Sequence, residues 1–196
     1  MNDFEKEWAI HEYICRNVVY DYDNYYNGTI PRDSYTHHSL LFKGVGVCGG
    51  YSKTMKLLLD MAKIECMQVY EEEHAWNMAK MDGNWYQLDV TWNDNNTLVG
   101  EYDCEYFNIT DLQMSQDHTW SAEEYPKCNN EQYMYLCQSM KYQEMLSGYS
   151  KVVDDCIYYI DTDYNLYYTI IDGADKGLIV DSEVEKNFYV LDNQVY

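Results

Sequence analysis

This chain contains, in sequence order, three residues with the chemistry of a nucleophile, a base and an orienting acid. They are Cys48 in the segment GVGVCGG, His74 in the segment EHAWN and Asp89 in the segment WYQLDVTW. A cysteine thiolate can attack a carbonyl carbon, a histidine can take and return the proton, and an aspartate can orient the histidine. The three residue types therefore predict cysteine acyl-transfer chemistry, provided that the fold brings them together.

A β-hairpin is predicted to carry His74 and Asp89. Asp82 and Gly83 are a strong short-range signal for a two-residue hairpin turn. With the turn at that point, Trp76 faces Asp89, and His74 lies two residues from Trp76 on the same face. Such diagonal neighbours lie roughly 7 Å apart at the backbone, which a hydrogen bond between imidazole and carboxylate can span. A register shifted by one residue would place them on opposite faces.

Cys48 is predicted to lie at the start of a helix. Apolar residues recur at helical spacing between Tyr51 and Lys63, immediately after Gly49 and Gly50. A helix N-terminus and a neighbouring imidazolium both favour the thiolate form of a cysteine. The glycines allow close approach of the backbone, and the amide groups at this point, that of Cys48 included, are candidates for an oxyanion hole.

The surroundings of the three residues are predicted to be aromatic and acidic. Tyr51, Trp76 and Trp92 are the aromatic residues expected to line a cleft, as walls rather than reagents. The acidic run 71–73 is expected to be a solvated rim, or to raise the affinity for cationic groups near the cleft. His118 is expected in a loop, either as a fourth polar group near the cleft or as a surface residue.

These segments resemble the bacterial members of the transglutaminase-like superfamily, a branch of the papain-like cysteine fold. The family pattern is C-x-G-Y, then HAWN, then DG-x-WY-x-x-D-x-TW, and this chain has CGGY at 48–51, HAWN at 74–77 and DGNWYQLDVTW at 82–92. Weaker similarities bring the resemblance to roughly residues 5–128; they are Tyr20-Asp21, Tyr106-Phe107-Asn108, His118, Pro126 and Cys128.

The resemblance implies an α+β core in which the nucleophile opens a helix that packs on an antiparallel sheet or barrel. It also implies that Cys48, His74 and Asp89 are the catalytic triad. The superfamily includes protein cross-linkers, peptidases, deglycosylating amidases and inactive relatives, so the resemblance does not select a substrate.

The 196 residues are enough for one domain with a packed core and a small appendage. We expect a transglutaminase-like core over residues 1–130 and an extension over residues 131–196. Helical spacing predicts helices over 3–18 and 131–146. From Val152 onwards, tyrosines alternate with aliphatic residues, which predicts a small β-meander.

The charge and hydropathy of the chain exclude several classes of partner. A formal net charge of −21 argues against binding to nucleic acid or anionic lipid. No stretch approaches the roughly twenty apolar residues of a membrane span, and residues 1–20 lack the apolar core of a signal peptide. We expect a protein or peptide substrate, and either an excised domain of an exported or cell-surface bacterial protein or a cytoplasmic one.

Neither a metal nor a cofactor is expected. The seven cysteines contain no CxxC pair, so a structural zinc site is not predicted. His37 and His38 have no spaced acidic partner nearby. The segment Asp161–Asn165 resembles the start of a calcium loop, but Leu166 occupies the position where that loop needs glycine, so a plain turn is predicted.

Two classes of function remain. The first is a thiol enzyme that passes through an acyl-enzyme on Cys48; water as the acceptor gives a peptidase or amidase, and a lysine amine gives a protein cross-linker. The second is a catalytically inactive domain on the same scaffold that binds proteins or glycans through a tyrosine-rich surface. The complete triad favours the enzyme, while the acceptor, the substrate and the oligomeric state stay open.

Overall fold

The computed structural model describes residues 2–71, 73–94, 102–134, 145–154, 156–161, 163–170, 175–180, 188–191 and 194–196. Within these ranges, helices combine with sheets that are mostly antiparallel. This α+β architecture confirms the predicted fold class. No helix in the same ranges has both the length and the apolar character that a membrane crossing requires.

The chain begins with helix α1 (Asp3–Asn17), whose start is fixed by a capping box. The side chain of Asn2 accepts a hydrogen bond from the Glu5 N–H at 2.8 Å, and the Glu5 carboxylate accepts one from the Asn2 N–H at 2.9 Å. Trp8 and Ile14 lie on the inner face of the helix and are buried. The helix therefore supplies one wall of the core.

Short elements lead from α1 to the segment that carries Cys48. They are β1 (Val19–Tyr20), α2 (Tyr22–Asn27), a 3-10 helix (Arg32–Tyr35), α3 (His37–Lys43), β2 (Val45–Gly46) and α4 (Cys48–Met61). Strand β1 pairs in parallel with β2, which fixes the point where α4 starts. The predicted helix therefore begins at Cys48 itself, three residues before Tyr51.

Close packing at the start of α4 requires glycine. A Cβ on Gly50 would lie 2.6 Å from the carbonyl oxygen of Ser34 and 2.7 Å from Leu40 Cδ1. Contacts of that length are not tolerated between these atoms, so the 3-10 helix and α3 can approach α4 only because position 50 lacks a side chain. The approach holds the start of α4 against the preceding turns of the chain.

A three-stranded antiparallel sheet packs on α4. Its strands lie in the order β3 (Cys66–Glu71), β4 (His74–Met81) and β5 (Asn84–Leu88). Asp82 and Gly83 both have positive φ, at 48° and 80°, as the predicted two-residue turn requires. Met81 pairs with Asn84 and Asn77 with Leu88, which confirms the predicted register. Strand β5 ends at Leu88, so Asp89 leaves the ladder and opens the next helix.

The segment after β5 contains three short helical turns: α5 (Val90–Asn93), α6 (Asp111–Met114) and a 3-10 helix (Ala122–Glu124). Gln87 of β5 forms an antiparallel bridge with Ile109, so this segment returns along the edge of the sheet. Because the chain runs back along this edge, residues near position 118 lie close to β4.

One hydrophobic cluster joins α1, α4, the sheet and part of the C-terminal region. Its members include Phe4, Trp8, Ile14, Tyr51, Met55, Leu59, Met81, Tyr86, Leu88, Phe107 and Ile157.

The C-terminal region forms a four-stranded antiparallel sheet with the strand order β6 (Met145–Val153), β7 (Cys156–Asp161), β8 (Leu166–Ile170) and β9 (Lys176–Val180). A further hairpin pairs β10 (Val190–Leu191) with β11 (Gln194–Val195). The sheet contacts α1, since Trp8 Nε1 donates to Ser150 Oγ at 3.3 Å. The predicted division of the chain at residue 130 stays a prediction.

Two predictions for this region meet different outcomes. The predicted helix over 131–146 falls largely on residues 135–144, which lie outside the described residues, but its end is wrong because β6 begins at Met145. At that point the backbone pairs with β7, Met145 with Asp161, and this tertiary pairing overrides the local helical spacing. The segment that resembles a calcium loop is a turn, in which Asp161 Oδ1 accepts from the N–H groups of Asp163 and Asn165.

Buried carboxyl groups lie in the core beside the sheet. Glu7 is fully buried, and its Oε2 accepts a hydrogen bond from Asn108. Burial raises the pKa of Glu7 to about 8. Burial likewise raises the pKa of Asp94 to about 8, although the Tyr51 hydroxyl donates to it at 2.6 Å. Both groups therefore hold a proton in the folded protein at pH values where the unfolded chain has released it.

We expect Gly50→Ala to lower the free energy of unfolding by about 1–3 kcal/mol, the usual range for overpacking. The matched control is Gly49→Ala, whose Cβ would meet only the movable side chain of Tyr35, at 3.2 Å. Urea unfolding of both variants measures the difference. Equal stabilities would show that the approach of Ser34 to position 50 is not a packing constraint.

We also expect stability to fall as the pH rises from 6.5 to 8.5. The raised pKa of Glu7 means that the folded state binds more protons than the unfolded state between pH 4.5 and 8, so the free energy of unfolding decreases with pH there. Glu7→Gln should make thermal melting less dependent on pH over that interval. Glu124→Gln, at an exposed position, is the control and should keep the wild-type dependence; the same dependence in both variants would contradict the assignment.

Candidate functional site

The thiol of Cys48 lies at the N-terminus of α4, where it faces the start of β4. Cys48 is the first residue of the helix and is partly exposed. Its Sγ lies 3.8 Å from the carbonyl oxygen of Glu73, and the Cys48 side chain interacts with that of His74, whose pKa it raises. The N-terminus of the helix directs its positive dipole end at the sulfur.

The amides near Cys48 differ in their partners. The N–H groups of Gly50 and Tyr51 donate to the carbonyl oxygen of Val47, at 2.7 and 3.1 Å. The first helical turn therefore uses the amide of Gly50, which was one of the predicted oxyanion-hole donors. The amides of Cys48 and Gly49 stay as the candidates.

His74 joins the thiol to a carboxylate. Its Nε2 lies 2.6 Å from Asp89 Oδ2, which leaves Nδ1 as the ring nitrogen for Cys48. Burial alone would lower the pKa of His74, but the hydrogen bonds to Asp89 and Cys48, together with their charges, outweigh burial and raise it to about 10. The ring stacks on Trp76, with 5.7 Å between the centroids. His74 is therefore an imidazolium at neutral pH.

Asp89 is the orienting carboxylate and is fully buried. Its Oδ1 caps α5 by accepting from the N–H groups of Thr91 and Trp92, at 2.9 and 3.2 Å. Its Oδ2 accepts from His74 and, at 3.0 Å, from Nε2 of His118. Burial would raise the pKa of Asp89, but the two imidazoles outweigh it and hold the pKa below its ordinary value. The structure thus brings the side chains of Cys48, His74 and Asp89 together, with His74 between the other two.

His118 is the polar residue whose position the sequence left open. Its side chain is 2% exposed, and it lies 29 residues after Asp89 along the chain. No local pattern links the two, because the contact depends on the return of the segment after β5. Its weak match to the family pattern was the only signal that pointed to it.

A cleft of about 590 Å³ opens beside His74. Its lining is aromatic and acidic, with Tyr20, Tyr22, Tyr25, Trp76, Trp92, Glu71, Glu73, His74, Thr91, Asp117, His118 and Thr119. Trp76 and Trp92 lie in this wall. Tyr51 does not, so its prediction as a cleft residue is wrong: its ring is fully buried, and its hydroxyl donates to Asp94. The described lining contains neither lysine nor arginine, which makes the cleft electronegative.

The oxygen and nitrogen atoms of His74, Asp89 and His118 lie within 4.8 Å of one another, a spacing that could hold a divalent cation. Asp89 Oδ2 is already the hydrogen-bond acceptor for both rings, at 2.6 and 3.0 Å. These distances are those of charge-assisted hydrogen bonds, so we assign the three groups to a proton-bearing network.

A second set with similar chemistry lies in the core. Cys15 Sγ is 3.7 Å from His11 Nε2, and Asn93 Nδ2 lies 3.0 Å from the same nitrogen. All three residues are fully buried. Burial lowers the pKa of His11 to about 3 and raises the pKa of the Cys15 thiol. This set therefore stays neutral and has no access to a substrate.

Part of this chain is similar to known proteins. Residues 1–90 match the model of the transglutaminase-like superfamily. The kyphoscoliosis peptidase of Mus musculus is 24% identical over 107 residues, and that of Homo sapiens is 26% identical over 106 residues. Each match covers 46% of this chain and 16% of the relative, so the chain corresponds to a small part of those proteins.

A solved structure, titled "Crystal structure of a TGase", is 18% identical with a TM-score of 0.38, over 43% of this chain and 25% of that one. The family match spans the segment that carries Cys48 and His74 and reaches one residue beyond Asp89. On that match, residues 1–90 of this chain are similar to the transglutaminase-like superfamily.

Proposed function

We propose that this chain is a cysteine acyltransferase or amide hydrolase that acts on protein or peptide substrates through an acyl-enzyme on Cys48. The observation that carries the proposal is the position of His74, which hydrogen-bonds Asp89 at 2.6 Å and interacts with the Cys48 side chain, at the wall of an open cleft. A buried cysteine with a structural role has no use for this arrangement.

The proposed reaction begins with the Cys48 thiolate attacking the carbonyl carbon of an amide. The developing oxyanion is stabilised by the amides of Cys48 and Gly49, since an oriented backbone N–H is worth about 3–4 kcal/mol in such a site. The His74 imidazolium then gives its proton to the departing amine, and the C–N bond breaks to leave a thioester. Asp89 keeps the ring in position throughout this step.

The second half of the reaction needs neutral His74. The ring takes a proton from water or from an amine, which attacks the thioester carbon, and the C–S bond breaks to return the thiolate. Water as the acceptor gives hydrolysis, and an amine gives a new amide bond. The acidic lining of the cleft, with Glu71, Glu73 and Asp117, supports substrates that carry cationic groups.

The alternative is a catalytically inactive domain that binds proteins or glycans. The tyrosines of α2 favour it, because Tyr22 and Tyr25 line the cleft and Tyr26 beside them is 78% exposed. Aromatic surfaces of this kind are typical of binding sites. A binding domain would keep the cleft but would not need an activated thiol.

We expect iodoacetamide at pH 6 to alkylate Cys48 at least tenfold faster than the other cysteines, because its thiol is partly exposed at a helix N-terminus and faces the His74 imidazolium. The other described cysteines are buried or lack such a partner. Mass mapping of the alkylated peptides measures the selectivity. His74→Ala should abolish it, and His38→Ala, at an exposed position, should not. Uniform labelling of the wild-type protein would contradict the proposal and favour the binding domain.

We expect Asp89→Asn to lower turnover by about 10²–10⁴-fold while the protein stays folded. Asparagine can still cap α5, so the loss should come from the missing charge beside His74. Without that charge the pKa of His74 should fall from about 10, so less imidazolium faces Cys48 and its alkylation should slow most at acidic pH.

Turnover is measured with a peptide library, with and without an added primary amine, so that hydrolysis and transfer are seen separately. Asp60→Asn, which alters an exposed carboxylate paired with Lys56, is the control. Unchanged turnover in Asp89→Asn would remove Asp89 from the mechanism.

A further inference from the structure

His118 shares the oxygen of Asp89 that His74 uses. Its Nε2 lies 3.0 Å from Asp89 Oδ2, and its Nδ1 lies 2.6 Å from Asp117 Oδ1. The Tyr106 hydroxyl donates to the other oxygen of Asp117 at 2.6 Å. The ring of His118 is therefore held between two carboxylates, each of which has a further donor of its own.

The number of protons on His118 follows from these contacts. A neutral imidazole has one N–H and one bare lone pair. Because both ring nitrogens of His118 face a carboxylate oxygen at hydrogen-bond distance, a neutral ring would set its lone pair against the lone pairs of one carboxylate. An imidazolium donates at both nitrogens and satisfies both contacts.

The ring of His118 is packed against two tryptophans, and both acidic and basic groups face it. Trp92 and Trp76 pack on it with centroid distances of 4.1 and 5.2 Å. The titratable groups that face the ring are Asp117, Asp89, His74, whose centroid is 5.5 Å away, and Tyr106 at 5.2 Å.

We propose that His118 is a positioning residue, held as an imidazolium between Asp117 and Asp89, which keeps Asp89 ionised and oriented while His74 is without its proton. The inference rests on the proposed function. When His74 has protonated the departing amine it is neutral, and the buried Asp89 loses the cation in front of it. A buried carboxylate without a cation is strongly unfavourable and would take up a proton. His118 stays in place at that stage, so Asp89 remains charged and ready to stabilise His74 when it accepts the next proton.

The first test is the pH profile of Cys48 alkylation in His118→Gln. Glutamine is neutral, so Asp89 loses a cation and should take a proton at a higher pH than in the wild type. Alkylation should therefore be about tenfold slower at pH 5, which corresponds to about one pH unit of displacement, and within about threefold of the wild type at pH 8. A loss of purely structural origin would be the same at both pH values. His38→Gln is the control.

The second test is the protonation of the ring itself, by NMR of the ¹⁵N-labelled full chain. At pH 7.5 the signals that disappear in His118→Gln should show both ring nitrogens protonated in the wild type. Asp117→Asn keeps an acceptor for Nδ1 but removes the charge, so His118 should lose its second proton at a lower pH. This variant alters a partly exposed residue and provides the test if His118→Gln fails to fold.

The outcomes separate the two proposals. A wild-type protein without selective alkylation of Cys48 would overturn the proposed function, whatever the state of His118. Selective alkylation in the wild type, with an equal rate in His118→Gln at every pH or a uniform loss, would overturn the role of His118 alone. A single protonated nitrogen on His118 at pH 7.5 would also overturn it.

Discussion

The ionised carboxylate of Asp89, fully buried in the protein, is the constraint on which the site depends. A carboxylate in that position is stable only when both oxygens have donors. The amides of α5 supply donors for one oxygen, and two imidazoles supply them for the other. The hydrogen bonds that the Asp89 carboxylate requires therefore determine where β5 ends, where α5 starts and how His74 is oriented. The same group determines how readily His74 carries a proton, so the geometry of the fold and the chemistry of Cys48 have a common origin.

The other buried acids show why the partners matter more than the burial. Glu7 and Asp94 lie in the core with a single neutral donor each, Asn108 for the first and Tyr51 for the second, and burial raises their pKa values to about 8. Asp89 is buried as deeply but keeps a pKa below the ordinary value, because the donors that face it are imidazoles that can carry charge. In a chain of net charge −21, ionising a buried acid requires a cation brought to it, and His74 and His118 are those cations.

The parts of the site that are local in sequence could be predicted, and those that depend on long-range return of the chain could not. The turn at Asp82-Gly83 fixes the register of β4 and β5, and from it follows the proximity of His74 and Asp89. Apolar spacing predicts the helix that follows Cys48, but it does not show that the helix begins at Cys48 itself. With Cys48 as the first residue, Tyr51 falls on the same face as Met55 and Leu59, which are fully buried. His118 reaches Asp89 only through the loops that follow β5, where spacing carries no information about distance.

The set of Cys15, His11 and Asn93 shows how a cysteine and a histidine behave when no charged carboxylate lies beside them. Its residue types and separations are close to those of a thiol site, yet each group is fully buried, and the amide beside the histidine is uncharged and presents a donor, Asn93 Nδ2. Nothing there can stabilise an imidazolium, so burial lowers the pKa of His11 to about 3 and the thiol keeps its proton. The site at Cys48 differs in two physical respects, a helix N-terminus at the sulfur and a charged carboxylate behind the imidazole. A cysteine and a histidine in contact are therefore not enough for an activated thiol in this fold; the carboxylate that keeps the histidine charged, and the second imidazolium that keeps the carboxylate ionised, make the difference.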